Sequence, residues 1–506
     1  MLKTIPSFPE KFKSQKWERY YFPRRYVLVL LGFLGMFSIY AMRVNISMTI
    51  VAMVNQTAVA FPNNSHSETK ECLNLDYDNE LVQSNGFKGE QYNWDTTTQT
   101  TILGSYYYGY VLTQLPGGII AEKFGAKWVF GCGILTTAII SLLIPLTASF
   151  GSLALTCIRV IQGLADGITI PAINVAISRW SPKSERSRVS TVIFSGAQIG
   201  TVIALPISGL LSVTDVLGGW PSVFYVFGSM TCIWFVFWAF LIYEKPSVHP
   251  GISREELLFI ELNNDEQDKK RPANLWKNIF TSIPMWALIL GHFGHNYGFI
   301  VLLLELPTYL STVLNFDLKS NGFLSALPFV VQAAGAWIAS FIADYLRHSN
   351  KMSITAIRKM MNSIGEFGPA ICLIGVTFAG CQPSLTISLL CLALALNGCV
   401  YSGYNITHVD MCPEFAGTLY AITNTIANIT GILGPMSVGV FTASGATLAN
   451  WSNVFYTAAA VYLFCGTIFA VFGSAELQTW GSAENKSEKE ASSEKNSDEV
   501  EIKTSL

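Results

Sequence analysis

The stretch Gly117-Gly118-Ile119-Ile120-Ala121-Glu122-Lys123-Phe124-Gly125-Ala126-Lys127 ends one long apolar run and starts the next. Its small residues allow two helices to approach closely. Its acid, Glu122, stands among lysines, where an ion pair can form and break. A shorter echo, Ile342-Ala343-Asp344 followed by Arg347, occurs in the second half of the chain. An echo at the same place in each half implies an internal repeat, the arrangement that lets two bundles rock against each other. Glu122 and Asp344 are therefore the expected gating acids.

The rest of the chain agrees with that reading. Of 506 residues, 51% are hydrophobic and only 13% are charged, against about a quarter charged in a soluble protein. Twelve candidate spans follow one another: 26–54, 98–120, 127–148, 151–177, 189–213, 222–242, 283–314, 323–346, 360–380, 385–404, 416–441 and 454–472. Each can cross a hydrocarbon core of about 30 Å. Backbone groups in lipid must bond to one another, so each span is expected to be a helix. The fold class expected is all-α and integral to the membrane: twelve transmembrane helices in two pseudo-symmetric six-helix bundles. The formal net charge of −2 leaves no basic footprint for nucleic acid. No zinc or redox cysteine spacing calls for a cofactor.

Residues 1–25 form a basic N-terminus. Residues 26–243 make the first bundle and 283–473 the second, joined by a charged linker at 244–282. Residues 474–506, rich in Ser, Glu and Lys, read as a disordered tail. The N-terminus lacks a signal-peptide core. It is basic, as are Arg179/Lys183/Arg186/Arg188 and Arg347/Lys351/Arg358/Lys359. All three groups fall on one side, taken as cytosolic together with both termini. The loop at 55–97 should face outside or a lumen, and it carries the glycosylation sequons at Asn55 and Asn63. The sequons at Asn45, Asn405 and Asn428 lie in spans or at their ends. Cys72 and Cys381 are the two of ten cysteines that fall in outer connections, where a disulfide is open to them. The terminal Thr504-Ser505-Leu506 fits a weak motif for a PDZ-domain partner, or is a plain solvated end.

Several strings now carry a family resemblance: Tyr40-Ala41-Met42-Arg43-Val44-Asn45; Gly104-Ser105-Tyr106-Tyr107-Tyr108-Gly109-Tyr110 with Thr113-Gln114-Leu115-Pro116-Gly117-Gly118; Arg159-Val160-Ile161-Gln162-Gly163-Leu164; and Asn405-Ile406-Thr407-His408-Val409-Asp410-Met411-Cys412-Pro413. The chain resembles the major facilitator superfamily. More narrowly, it is similar to the anion:cation symporters that include sodium-phosphate cotransporters, sialin and vesicular glutamate transporters, with the flavour of inorganic phosphate cotransporters. The resemblance implies cation-coupled symport of a small anion, inorganic phosphate or an organic anion, by alternating access. The coupling ion is Na+ or H+, and no other cofactor is implied.

The resemblance also assigns roles. Arg43, a costly cation inside a span, sits where the family carries a substrate arginine; the alternative is a structural pair with a carboxylate on another helix. Arg159 and Asp166 lie seven residues apart, two turns on one helix face. Asp166 matches a coupling glutamate, and a purely structural Arg159–Asp166 pair is the alternative. Tyr110 matches a pocket tyrosine. His295 stands where the glutamate transporters carry an arginine, and it either contacts the anion or bonds within the bundle. Gln162 replaces a second acid of sialin-like members, and Leu103 replaces a histidine of the glutamate transporters. These departures point away from glutamate and keep sodium coupling open. Glu305 is a further acid, a cation ligand or an interfacial group. Gly403, Asn405, Gly431, Gly434 and Pro435 should interrupt spans ten and eleven.

No His-Glu-x-x-His or Gly-x-Ser-x-Gly motif suggests an enzyme. A membrane receptor or scaffold without transport is the competing class. Neither end shows an acidic dileucine signal, which favours the plasma membrane over a lysosomal or vesicular one.

Overall fold

A computed structural model describes residues 23–55, 72, 91–182, 184–263, 275–349, 351–413, 415–478 and 480. Its spanning helices, in chain order, are α1 (Arg24–Met53), α2 (Thr96–Phe124), α3 (Ala126–Ser149), α4 (Ser152–Trp180), α5 (Arg186–Ser212), α6 (Pro221–Leu241), α7 (Ile283–Thr312), α8 (Leu318–His348), α9 (Ile354–Ala379), α10 (Pro383–Met411), α11 (Ala416–Thr442) and α12 (Leu448–Phe472). Eleven are long and apolar enough to cross a membrane. The other, α2, is 29 residues long but carries polar side chains and a tyrosine cluster. That polarity is turned inward, where Gln99, Thr100, Ser105, Tyr106, Tyr107 and Tyr110 are buried.

Several helices overrun the apolar runs from which they were expected. α8 starts at Leu318 and α9 at Ile354, ahead of the expected 323 and 360. Capping side chains explain the extension. Asp95 accepts from Thr98 N at 3.1 Å, Asp317 from Ser320 N at 3.1 Å, and Ser353 from Ala356 N at 3.2 Å. Asp95 and Asp317 open α2 and α8, the second helix of each bundle, so the repeat extends to the caps.

Three helices are interrupted, and two of the breaks correspond between the halves. α4 breaks between Gly167 and Thr169. α10 passes through a 3-10 turn at Gly398–Ser402 before resuming at Tyr404. α11 breaks at Asn428 and Ile429, just before the expected Gly431. Discontinuous helices of this kind expose polar backbone only where it lines an interior.

The two bundles meet along α2–α11, α5–α8 and α1–α7. Close packing of this seam lies toward the end marked by the Cys72–Cys381 disulfide (Cα–Cα 5.2 Å). There a Cβ on Gly431 would stand 2.1 Å from the Tyr107 ring, one on Gly439 2.4 Å from Thr100 Oγ1, and one on Gly209 2.7 Å from Leu318 O. A shared apolar core joins Met42, Val44 and Met48 of α1 to Val301, Leu302 and Leu306 of α7. Toward the opposite end, where the linker runs, α2 and α8 expose Leu112, Leu115, Ile119, Phe341 and Tyr345. The seam is thus tight at the disulfide end and looser at the linker end.

Within the first bundle, α2 and α4 touch backbone to backbone. A Cβ on Gly163 would lie 1.9 Å from Tyr106 O, one on Gly109 2.0 Å from Val160 O, and one on Gly167 2.4 Å from Tyr110 O. Nothing can shift to admit a methyl, because the obstructing atoms are themselves helix backbone. Gly163→Ala is expected to lower stability by about 1–3 kcal/mol, the usual cost of overpacking. Gly417→Ala, whose added carbon meets nothing within 4 Å, should leave the detergent-solubilised melting temperature unchanged or slightly raised. Thermal unfolding of the two purified variants checks the contrast.

Candidate functional site

The α2–α4 contact brings four ionisable side chains of those helices into one cluster, and α1 adds a fifth. Tyr106 and Tyr110 stand one turn apart on α2, and Arg159 and Asp166 two turns apart on α4. Arg43 enters from α1. All are buried: Arg43 is 5% exposed, Arg159 and Asp166 1% each. Arg43 Nη2 donates to Asp166 Oδ2 at 2.8 Å. The same oxygen accepts from the Tyr106 hydroxyl, and Asp166 Oδ1 accepts from Thr169 Oγ1 at 3.0 Å. Both carboxylate oxygens are therefore used. The Arg43 guanidinium lies over three rings, with 4.5 Å to Tyr40, 4.7 Å to Tyr110 and 5.1 Å to Tyr106. Aromatic faces stabilise a cation without neutralising it.

Arg159 is not the partner of Asp166, although helical spacing puts them on one face. Its Nη1 donates to Gln162 Oε1 at 2.7 Å, and its guanidinium lies 5.1 Å from the Tyr106 ring. The ion pair expected along α4 is instead made across helices, from α1. Spacing on one helix cannot foresee a closer cation on another. Two buried guanidiniums thus share one carboxylate, which leaves the cluster with one net positive charge. Arg43 Nε, Arg159 Nε and Gln162 Nε2 are buried donors with no acceptor. Unmet donors around surplus positive charge are what an anion satisfies.

His295 lies in a separate aromatic nest of the second bundle, with ring centroids 5.7 Å from Phe299, 5.6 Å from Tyr404 and 6.1 Å from Tyr401. Its Nδ1 has no partner. Its neighbour on α7, His292, is bonded to Thr423 Oγ1 at 3.0 Å. The two clusters face each other across the seam. Tyr401 and Tyr420 are near enough to interact electrostatically with Tyr40, and Gln198 of α5 donates to the Tyr401 hydroxyl at 3.1 Å. Tyr40, beside Arg43, carried no special signal in the sequence beyond its place in the quoted string.

The two-bundle helical fold that holds this cluster is one that other proteins share. Residues 28–435 match the model of the Major Facilitator Superfamily. The chain belongs to that superfamily. It is a membrane transporter, not an enzyme. Over 474 residues it is 40% identical to a Drosophila melanogaster protein named "Putative inorganic phosphate cotransporter", covering 93% of this chain and 88% of that one. It is 38% identical to sialin of Homo sapiens, with 90% of each chain covered. To vesicular glutamate transporter 1 of Xenopus tropicalis it is 36% identical over 92% of this chain and 77% of that one. These are members of the anion:cation symporter group named above. A bacterial homolog of the human lysosomal transporter Spinster shares the fold, with a TM-score of 0.66 at 14% identity over 89% of this chain and 97% of that one. The xylose transporter XylE of E. coli does so with a TM-score of 0.63 at 12% identity, over 88% and 99%.

At the linker end, this facilitator's ion pairs use other acids than the two expected. Glu122 and Asp344 are exposed and make no ion pair among the described residues. Glu244, after α6, instead takes the central place. It pairs with Arg179 at the end of α4, and it accepts from Ala126 N at 2.9 Å and Lys127 N at 3.0 Å. A carboxylate capping a helix start is favoured by the exposed N–H groups and the helix dipole. The second bundle answers with Arg358 on α9, whose Nε donates to Asp410 Oδ2 of α10 at 2.8 Å and whose Nη1 donates to Ser402 O at 3.0 Å. Below α1, Glu256 of the linker helix Arg254–Asn263 accepts from the backbone N of Arg24 and Arg25 at 2.9 and 3.1 Å. Arg25 also pairs with Glu185 at 3.0 Å. Arg179 and Glu244 were legible as loop charge; that they meet depends on where α4 and α6 end.

Asn55 follows α1 at the disulfide end, with its backbone N donating to Tyr92 O at 2.9 Å. Asn63 and the Thr504-Ser505-Leu506 tail lie outside the described residues.

Glu244→Gln removes the charge from the α3 cap and from the Arg179 pair. It is expected to cost about 1–2 kcal/mol, in the range of a lost cap. Glu122→Gln, on the exposed side chain, should stay within about 0.5 kcal/mol of the parent. Denaturation of both variants in matched detergent decides which acid supports the loop.

Proposed function

We propose that this facilitator is a cation-coupled symporter of a small anion, with inorganic phosphate or an organic anion as substrate and alternating access as its mechanism. The observation that carries the reading is two buried guanidiniums beside a single carboxylate: Asp166 pairs with Arg43, and Arg159 is left with Gln162. A buried charge without compensation costs several kcal/mol, so the surplus is best explained by an anionic ligand that supplies the missing partner. Arg43 is the anion-binding arginine, with Tyr110 and Tyr106 walling the site and His295 approaching from the opposite bundle. Asp166 is the coupling group: when it takes a proton, Arg43 is released from its pair and turns to the anion. Gln162 beside Arg159, where an acid would have cancelled the charge, keeps the site positive.

The disulfide end is proposed to face outside or a lumen and the linker end the cytosol, with both termini cytosolic. Disulfides persist in oxidising compartments, and the glycosylation sequons at Asn55 and Asn63 lie in the chain segment leading to Cys72. The looser seam at the linker end then makes this the inward-facing form. The ion pairs of Glu244 and Asp410 are the gating contacts on that side. The plasma membrane is the proposed location, although the vesicular glutamate transporters carry the name of another compartment.

Purified protein in vesicles should take up one of labelled phosphate, sialate, urate or glutamate when a sodium or proton gradient is imposed. Arg43→Ala should abolish that uptake. Unchanged uptake would sink the assignment. Gln162→Glu tests the charge argument independently: a carboxylate beside Arg159 removes the surplus and should weaken anion affinity by about tenfold or more, roughly 1.4 kcal/mol.

A further inference from the structure

The second bundle holds a buried acid that the site above does not use. Glu366, on α9, is 0% exposed. Its Oε1 accepts from Asn362 Nδ2 at 3.0 Å, and its Oε2 has no hydrogen-bond partner. It makes no ion pair among the described residues. The surrounding helices bring no cation to it. α7 presents Gly294, on which a Cβ would lie 3.5 Å from Glu366 Oε2, and α12 presents Gly466, where the distance would be 2.8 Å. The titratable groups facing it are Tyr404 of α10 and Tyr462 and Cys465 of α12. The histidines of α7 turn elsewhere, His292 to Thr423 and His295 to its aromatic nest.

Two glycines therefore shape a fitted apolar seat for one carboxyl oxygen. A bare carboxylate there would be desolvated and unpaired, at a cost of several kcal/mol. A metal ion needs several oxygens around it, and glycine methylenes offer none. The addition that fits the seat is a single hydrogen.

Glu366 is also tied to the anion side of the bundle. Gln332 Nε2 of α8 donates to Asn397 Oδ1 of α10 at 2.8 Å, Asn397 Nδ2 approaches the Tyr462 hydroxyl at 3.4 Å, and that hydroxyl donates to the His295 carbonyl at 3.5 Å. Asn397 Nδ2 also donates to Gly365 O, one residue before Glu366, at 3.1 Å. Gly294 precedes His295 on α7. These bonds join the backbone beside Glu366 to the His295 carbonyl through Asn397 and Tyr462.

We propose that Glu366 is a proton-carrying site of the second bundle, additional to Asp166 and seated between α7, α9 and α12. It takes one proton from water on one side of the membrane to become the neutral acid. It returns that proton to water on the other side when α7 and α12 part and the carboxylate is hydrated. The inference rests on the transport reading for its purpose, but not for its chemistry.

Two measurements test it. Infrared difference spectra of wild type against Glu366→Gln should show a protonated carboxylic carbonyl band in the wild type that the variant lacks. Absence of that band overturns the proposal, whichever anion is carried or even if none is. In vesicles with a pH-sensitive dye inside, labelled inorganic phosphate should show counterflow in both proteins, within about twofold. A gradient of about one pH unit should drive accumulation on the order of a hundredfold in the wild type, where Asp166 and Glu366 each carry a proton, and on the order of tenfold in Glu366→Gln, where Asp166 alone remains. Accumulation and dye response equal to wild type in the variant overturn the proposal. Lack of counterflow in the wild type with any of the four anions instead counts against the transport reading, and the infrared band then decides Glu366 alone. Glu366→Gln mimics the neutral acid and should fold with an unchanged melting temperature. Glu366→Asp, which keeps the acid, should retain a reduced proton response where a merely structural role would not.

Discussion

The Arg43–Asp166 ion pair is the contact on which the first bundle is organised. It spans α1 and α4 in a place with almost no water, so each charge is held by the other. Beside it, Gly109, Gly163 and Gly167 let α2 and α4 lie backbone against backbone. That approach carries Tyr106 to the carboxylate and Tyr110 to the guanidinium. Breaking one member would leave a bare charge among aromatic rings, so the pair is rigid until something replaces a partner. A proton on the acid or an anion at the arginine does so. The same constraint that makes the site stable makes it responsive.

The two ends of the seam are held by different physics. At the disulfide end, glycines on α5, α11 and α8 bring backbones and rings into direct contact, and a covalent bridge joins the loop after α1 to the turn after α9. At the linker end, the contacts recorded are ion pairs and caps within each bundle: Glu244 with Arg179 and the start of α3, Arg358 with Asp410, and Arg25 with Glu185 and Glu256. None of these pairs crosses the seam, so they hold each bundle's own end together without tying the two bundles to each other. Close-packed glycine seams are lost as a unit. A loosely closed end and a tightly closed end are what a protein exposing one side at a time needs.

Charge balance also separates the two bundles. The first holds two buried arginines and one carboxylate, and the second holds the buried acids Glu305 and Glu366 with no ion pair among the described residues. In the proposed mechanism an anion completes the former and a proton is carried at Glu366 in the latter. The two deficits lie on opposite sides of the seam, with Tyr40, Tyr401 and Gln198 between them.

What the sequence by itself determined follows from solvent. Apolar runs of spanning length had to become helices, because a backbone in lipid can bond only to itself. The repeated loop and the arginine in the first span were readable for the same local reason: charges inside or between long apolar runs are conspicuous. Partnership was not readable. Spacing suggested Arg159 for Asp166, where the fold pairs Arg43; loop composition pointed to Glu122, while the carboxylate that meets Arg179 and the start of α3 is Glu244. Ion pairs in a helical membrane protein are made between helices distant in sequence, and their identity depends on rotations and end points that only packing sets. Gln162 shows the same limit from the other side. In the sequence it was a missing acid, and its contact with Arg159 is local, three residues along one helix; only the tertiary structure, by giving Asp166 to Arg43, left Arg159 without a carboxylate of its own.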